Sequence, residues 1–98
     1  MLVMQKYGGS SVANADLIRN VAGRVARRIE AGDQVVAVVS AMGDATDDLI
    51  ALAYSITDEP NARELDMLVA TGEQVSCALV SMALQAIGVN AVSPTAYS

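Results

Sequence analysis

Apolar positions along this chain change their period several times, and each change marks an element. Leu2-Val3-Met4 opens a short apolar run that reads as a buried strand over residues 2–6. Leu17, Ile18, Val21, Val25 and Ile29 then recur at spacings of three and four, which predicts a helix over residues 15–31. Ser11 or Asn14 is placed to cap its start, and Gly32 follows its end. Gln34 to Ser40, QVVAVVS, is a nearly continuous β-branched run, the type expected of a parallel strand covered on both faces. Strand, loop, helix, strand makes a βαβ unit, whose crossover is almost always right-handed.

The second strand leads into a Gly-containing loop, AMGDATDD, and a helix carrying Leu49, Ile50, Leu52 and Ala53. TDEPNA ends that helix. A helical pair is predicted over residues 62–87, with TGEQ at 71–74 as a bend or cap between its halves. Met67, Leu68, Leu79, Met82 and Leu84 fall at core spacing on it, and Arg63-Glu64 belongs to a solvated start. Gly88 stops the pair, and VNAVS at 89–93 predicts a third strand. This order implies an α/β sandwich with a parallel core. Three strands are few for a sheet apolar on both faces, so residues 1–98 are expected to be the N-terminal portion of something larger.

Composition narrows the chemistry. At 98 residues the chain is one small domain at most, and its 53% apolar content is high for a small soluble monomer. The mean hydropathy of +0.39 agrees. A net charge of −5 argues against nucleic acid, which wants a basic face. The basic cluster Arg24, Arg27 and Arg28 is followed at once by Glu30 and Asp33. No uninterrupted apolar run reaches the ~18 residues of a membrane span, and the N-terminus lacks a signal-peptide pattern. No membrane association and a cytoplasmic location are therefore expected. Cys77 is alone and His is absent, so no disulfide, His-based metal site or Ser-His triad can form within the chain. Cys77 reads as a buried filler among small apolar neighbours. A carboxylate nucleophile, with a pKa of about 4, is ionised without an imidazole base, so such a substrate is permitted.

In doubly wound sheets, ligands sit beyond the carboxyl ends of the strands. Two loops leave those ends here, KYGGSS (residues 6–11) and SAMGDAT (residues 40–46), and each leads into a helix. Helix N-termini suit anions, and Gly8 and Gly9 would allow close backbone approach and φ > 0. Lys6 adds a mobile positive charge. A tight turn with a solvated lysine fits the same residues about as well. Neither G-x-x-x-x-G-K-[ST] nor G-x-G-x-x-G occurs. Thr46 could cap the following helix, with Asp44, Asp47 and Asp48 favourable at its start. Thr71 with Gln74 fits a capping box, which would make Glu73 an ordinary first-turn acid; alternatively its carboxylate binds an ammonium group.

Taken together, MLVMQKYGGSSVANADLIRNVA, VVAVVSAMGDATDDL and RELDMLVATGEQVSCALVSMAL resemble the N-terminal part of the aspartate kinases, within the amino acid kinase superfamily. The similarity covers nearly the whole chain in order and spacing. ARELDMLVATGEQVS is the passage that resembles aspartate kinases rather than glutamate, acetylglutamate or uridylate kinases. The resemblance implies a three-layer parallel-sheet sandwich of the carbamate kinase-like type. It implies transfer of the ATP γ-phosphoryl group to the β-carboxylate of L-aspartate, with Mg²⁺ as cofactor, the step that opens the route to lysine, threonine and methionine.

By the same resemblance, Lys6, Tyr7, Gly8 and Gly9 match the ATP-phosphate loop, with Lys6 neutralising charge on the transferred group. Ser40 matches the second loop near the phosphates, and Thr46 and Glu73 match aspartate-binding positions. The family's kinase domain is considerably longer, its later half supplying most of the adenine pocket, and ACT regulatory domains follow. SPTAYS places Ala96 where a glycine is usual. The chain alone is therefore expected to lack useful kinase activity, its partners being the remainder of the kinase domain or further copies in a homo-oligomer. A short nucleotide- or anion-binding module without turnover, and a module that pairs through its apolar face, are the competing readings.

Overall fold

A computed structural model describes residues 1–94. Strand β1 (Leu2–Tyr7) leads through a short 3₁₀ turn (Gly9–Val12) into helix α1 (Ala15–Glu30), and strand β2 (Gln34–Val39) follows. Helix α2 (Ala45–Ile56) and the long helix α3 (Ala62–Ala86) complete the elements. β1 and β2 pair in parallel, from Leu2 opposite Gln34 to Tyr7 opposite Val39. The βαβ unit is thus present as the periodicity predicts.

Local chemistry explains each boundary. Asn14, not Ser11, caps α1: its side chain accepts a hydrogen bond from the Leu17 N–H at 2.9 Å. Gly32, at φ +96°, turns the chain out of α1 in the left-handed region. Asp33 then receives Arg28 at 2.8 Å and the N-terminal amine at 3.5 Å, and the Gln34 N–H donates to the Met1 carbonyl. These contacts set β2 beside β1 in register.

The core lies on one side of the strand pair. Ile18, Val21, Ala22 and Val25 of α1 meet Tyr7 and Val39 of the sheet and Val80 and Leu84 of α3. Along both strands, burial alternates with the pleat. Val3, Gln5 and Tyr7 face the helices together with Val35, Ala37 and Val39, whereas Leu2, Met4, Val36 and Val38 are exposed. The expectation that β2 is covered on both faces is therefore not met within the described residues. Helices α1 and α3 both pack against its covered side, around Val39.

Residues 62–86 form one helix rather than two. The Thr71 hydroxyl donates to the Leu68 carbonyl at 2.6 Å, so it back-bonds within the helix instead of capping a new one. Gly72 is buried there, and so are Ser76, Val80 and Leu84, one residue per turn along the inner stripe. Among the described residues, α3 alone is long and apolar enough to cross a membrane, and that stripe packs it against α1 and β2. Met67 and Met82, expected in the core, are exposed; Leu68 and Leu79 are half-buried and Leu84 is buried.

The predicted third strand does not form. Residues 89–94 are irregular and pair with neither β1 nor β2. Side chains hold them to α3 instead: the Ser93 hydroxyl donates to the Cys77 carbonyl at 2.9 Å, and Gln85 donates to the Ala91 carbonyl at 2.8 Å. Ala96 lies outside the described residues.

Candidate functional site at the carboxyl end of the strand pair

Both strands end at the same level, and the loops that leave them are tied together. The Ser40 N–H donates to the Tyr7 carbonyl and the Gly43 N–H to the Gly9 carbonyl, each at 3.0 Å. Gly9 sits against the second loop so closely that a Cβ there would lie 2.9 Å from the Ala41 oxygen and 3.1 Å from the Gly43 oxygen. Glycine is required at position 9 for that approach, not for its backbone angles. Neither Gly8 nor Gly9 has positive φ, contrary to expectation; Gly43 does, at +49°. Gly8 is extended, and the space beside its Cα is open.

Lys6 is exposed on the bare face of β1, and among the described residues it makes no ion pair. The Tyr7 side chain points the other way, into the core, where its hydroxyl donates to Gln5 Oε1 at 2.8 Å. Only the backbone of Tyr7 therefore borders the loop. Ser40 is half-buried at the start of the second loop.

Thr46 and Glu73 come from different helices. Thr46 lies inside the first turn of α2 and does not cap it; Asp44 occupies the cap position, without a side-chain capping bond. With Asp47 and Asp48 beside it, that helix start is acidic, which offsets its partial positive charge. Glu73 is exposed in the interior of α3 rather than in a first turn, so the capping-box alternative is excluded. Its carboxylate is felt one turn further along the helix. The Cys77 thiol is held above its ordinary value, first by burial and second by the negative charge of Glu73.

Gly72 joins these parts. A Cβ on it would stand 2.8 Å from the Ala41 Cβ and 3.8 Å from a methyl of Leu49 in α2. Glu73 thus sits next to the point where α3 meets both the second loop and α2. An apolar cleft of about 340 Å³ opens there, lined by Met42, Ala45, Asp48, Leu49, Thr71 and Val75 with Gly72. Ala41, Gly43 and Gly72 carry no functional group and do not stand out as site residues in the sequence. Their smallness is the signal, and it acquires meaning only once the three segments meet.

Around the loop junction lie the open backbone of Gly8 and, on the helix side, carboxylates of α2 and α3, while Lys6 projects from the opposite, bare face of β1. Among the described residues no group of three or more acids or cysteines is arranged to hold a metal ion. A model of the amino acid kinase family matches residues 1–96. The chain belongs to the amino acid kinase family. It is 53% identical over 96 residues to Aspartokinase 2 of Bacillus subtilis (strain 168), covering 98% of this chain and 24% of that protein. Against the Aspartokinase of Mycolicibacterium smegmatis the identity is 55% over 94 residues, covering 96% of this chain and 22% of that one. The crystal structure of Aspartate Kinase from Synechocystis superposes with a TM-score of 0.92 at 50% identity, over 94% of this chain and 16% of that chain. The chain therefore spans about a quarter of the length of the curated relatives it matches, and its α/β fold is that of part of the family's kinase domain.

Proposed function

We propose that residues 1–98 form the part of an aspartate kinase that holds the ATP phosphates and the amino acid acceptor. The observation that carries this reading is the junction of two strand-end loops at Gly9, with Lys6 on one side and Thr46 and Glu73 on the flanking helices. A β-carboxylate oxygen of L-aspartate attacks the γ-phosphorus, the bond from that phosphorus to the bridging oxygen breaks, and ADP leaves. No proton has to move, which suits a chain without histidine. The work is positioning and charge neutralisation. Lys6 faces the negative charge that develops on the transferred group, Gly8 and Gly9 admit the phosphate oxygens, and Ser40 borders them. Glu73 takes the substrate ammonium, and Thr46 sits at the same acceptor.

Mg²⁺ belongs to the proposal as a companion of the nucleotide phosphates. The described residues do not form a cage for it. The wider reading places the protein in the cytoplasm, at the entry to lysine, threonine and methionine synthesis. There it works with the rest of a longer kinase domain, a regulatory region and further copies of itself.

The test replaces the matching 96 residues of the Bacillus relative with this chain. The purified chimera is then assayed for ADP release and for trapping of the acyl phosphate by hydroxylamine. Aspartate-dependent ADP release with hydroxamate formation is expected. A folded chimera that binds ATP but releases no ADP with aspartate would overturn the reading in favour of a binding module.

A further inference from the structure

The contact at Gly72 carries an inference that rests on this reading and deepens it. Ala41 is 3% exposed and is clasped from two sides. On one side its carbonyl oxygen lies where a Gly9 Cβ would come within 2.9 Å, and on the other its Cβ lies where a Gly72 Cβ would come within 2.8 Å. Separations under about 3 Å between such atoms require something to move, and here the neighbours are buried backbone and a short rigid side chain. The phosphate loop, the second loop and α3 are therefore stacked without spare space, and Leu49 brings α2 into the same contact. A glycine inside a long helix costs stability relative to alanine, by roughly 1 kcal/mol, and Gly72 lies in the interior of α3, far from either cap. Its smallness permits the approach of α3 to Ala41.

We propose that Gly72 is a positioning residue for phosphoryl transfer: its missing Cβ seats α3 on Ala41 and so fixes Glu73 relative to the Lys6–Gly9 loop. The residues assigned to the acceptor and those assigned to the phosphates lie on different elements. Neither half needs Gly72 to exist, but their mutual distance does. A displacement of about 1 Å at such a junction is enough to lower a rate ~10²-fold while leaving each ligand its own contacts.

The experiment compares four forms of the chimera described above: unsubstituted, Gly72→Ala, Ala41→Gly, and the double variant, which moves the methyl from one side of the contact to the other. Gly72→Ala is expected to lower kcat at least ~10-fold, with KM for ATP and for aspartate changed less than about threefold, because only alignment is lost. The double variant is expected to recover most of that kcat. Ala41→Gly, which creates no clash, is expected to lower kcat by about two- to fivefold and keeps the test alive should Gly72→Ala not fold. Hydrogen exchange at the Gly43 and Ser40 amides, whose bonds tie the loops together, supplies a readout independent of turnover. It is expected to quicken in Gly72→Ala and to slow again in the double variant.

Exchange that is unchanged in the folded Gly72→Ala protein overturns the inference. So does a kcat that stays at the unsubstituted value, or one that falls without recovery in the double variant. An unsubstituted chimera that phosphorylates nothing overturns the functional reading instead, and the exchange pattern then still decides whether Gly72 sets the spacing.

Discussion

Lys6 and Glu73 are both exposed and charged, yet the proposed function gives them different partners, the transferred phosphoryl group and the substrate ammonium, so their substitutions separate. In the proposed function Lys6 faces charge that grows only as the phosphoryl group transfers, and no described ion pair depends on it. In the active chimera, Lys6→Ala is expected to lower turnover by at least ~10²-fold. The melting temperature should hardly move, which circular dichroism on the same sample checks. Glu73 is assigned to a group that is charged both in the bound substrate and during reaction. Glu73→Ala is therefore expected to raise KM for aspartate and to leave KM for ATP nearly alone. An equal rise in both would assign Glu73 to helix stability. Cys77 reports on the same carboxylate without any assay of turnover. Its raised pKa leaves less thiolate at a given pH, so alkylation by iodoacetamide should be slower than for a free cysteine across the mildly alkaline range. Burial is the larger cause and Glu73 the smaller, so Glu73→Gln should speed alkylation while leaving it slower than the free amino acid. No acceleration would mean that the carboxylate points away from Cys77.

At the scale of elements, what was legible in the sequence is what one segment decides for itself. β1, α1, β2 and α2 follow their own periodicity, and all four appear close to where the pattern puts them, although Thr46 does not cap α2. The Asn14 cap is such a local feature. Asn14→Ala is expected to cost about 1 kcal/mol of stability, read as a lower midpoint in urea with an unchanged slope. What was not legible depended on a distant partner. Thr71-Gly72 followed by Gln74 looks like a helix start in isolation, and the reason for a glycine there is Ala41, thirty-one positions earlier in the chain. VNAVS has strand-like composition, but it lies beside α3 and finds Cys77, Ser81 and Gln85 as partners instead of a strand edge. The site divides the same way. The glycine-rich loop and its lysine are visible from the residues alone, and the proposed roles of Ser40, Thr46 and Glu73 rest on resemblance over the whole chain. The spacing glycines needed the fold. Tyr7 shows the limit of matching by position, since its side chain is committed to the core and only its backbone borders the loop.

For the whole molecule, the bare face of the strand pair is the feature that separates this chain from a self-contained domain. Leu2 is 67% exposed and Met4 74%, and on β2 Val36, opposite Met4, and Val38, opposite Lys6, are 46% and 44% exposed. These side chains alternate with the covered ones on both strands, so they form one contiguous apolar surface rather than scattered exposure. The proposed place of the chain within a longer kinase domain gives that surface an owner, the remainder of the domain. One pair of substitutions is expected to have opposite outcomes in the two settings. In the 98-residue chain by itself, Val36→Thr with Val38→Thr exchanges exposed methyls for hydroxyls on the same β-branched frame. Binding of a hydrophobic dye and self-association in ultracentrifugation should both fall, with little loss of secondary structure. In the chimera the same two hydroxyls would be buried against apolar neighbours, at a cost of roughly 1–3 kcal/mol each. A melting temperature lowered by several degrees is the expected result there. If the chimera tolerates both substitutions as easily as the chain alone does, the bare face stays bare in the longer protein, and the chain's apolar surface serves contacts between molecules instead.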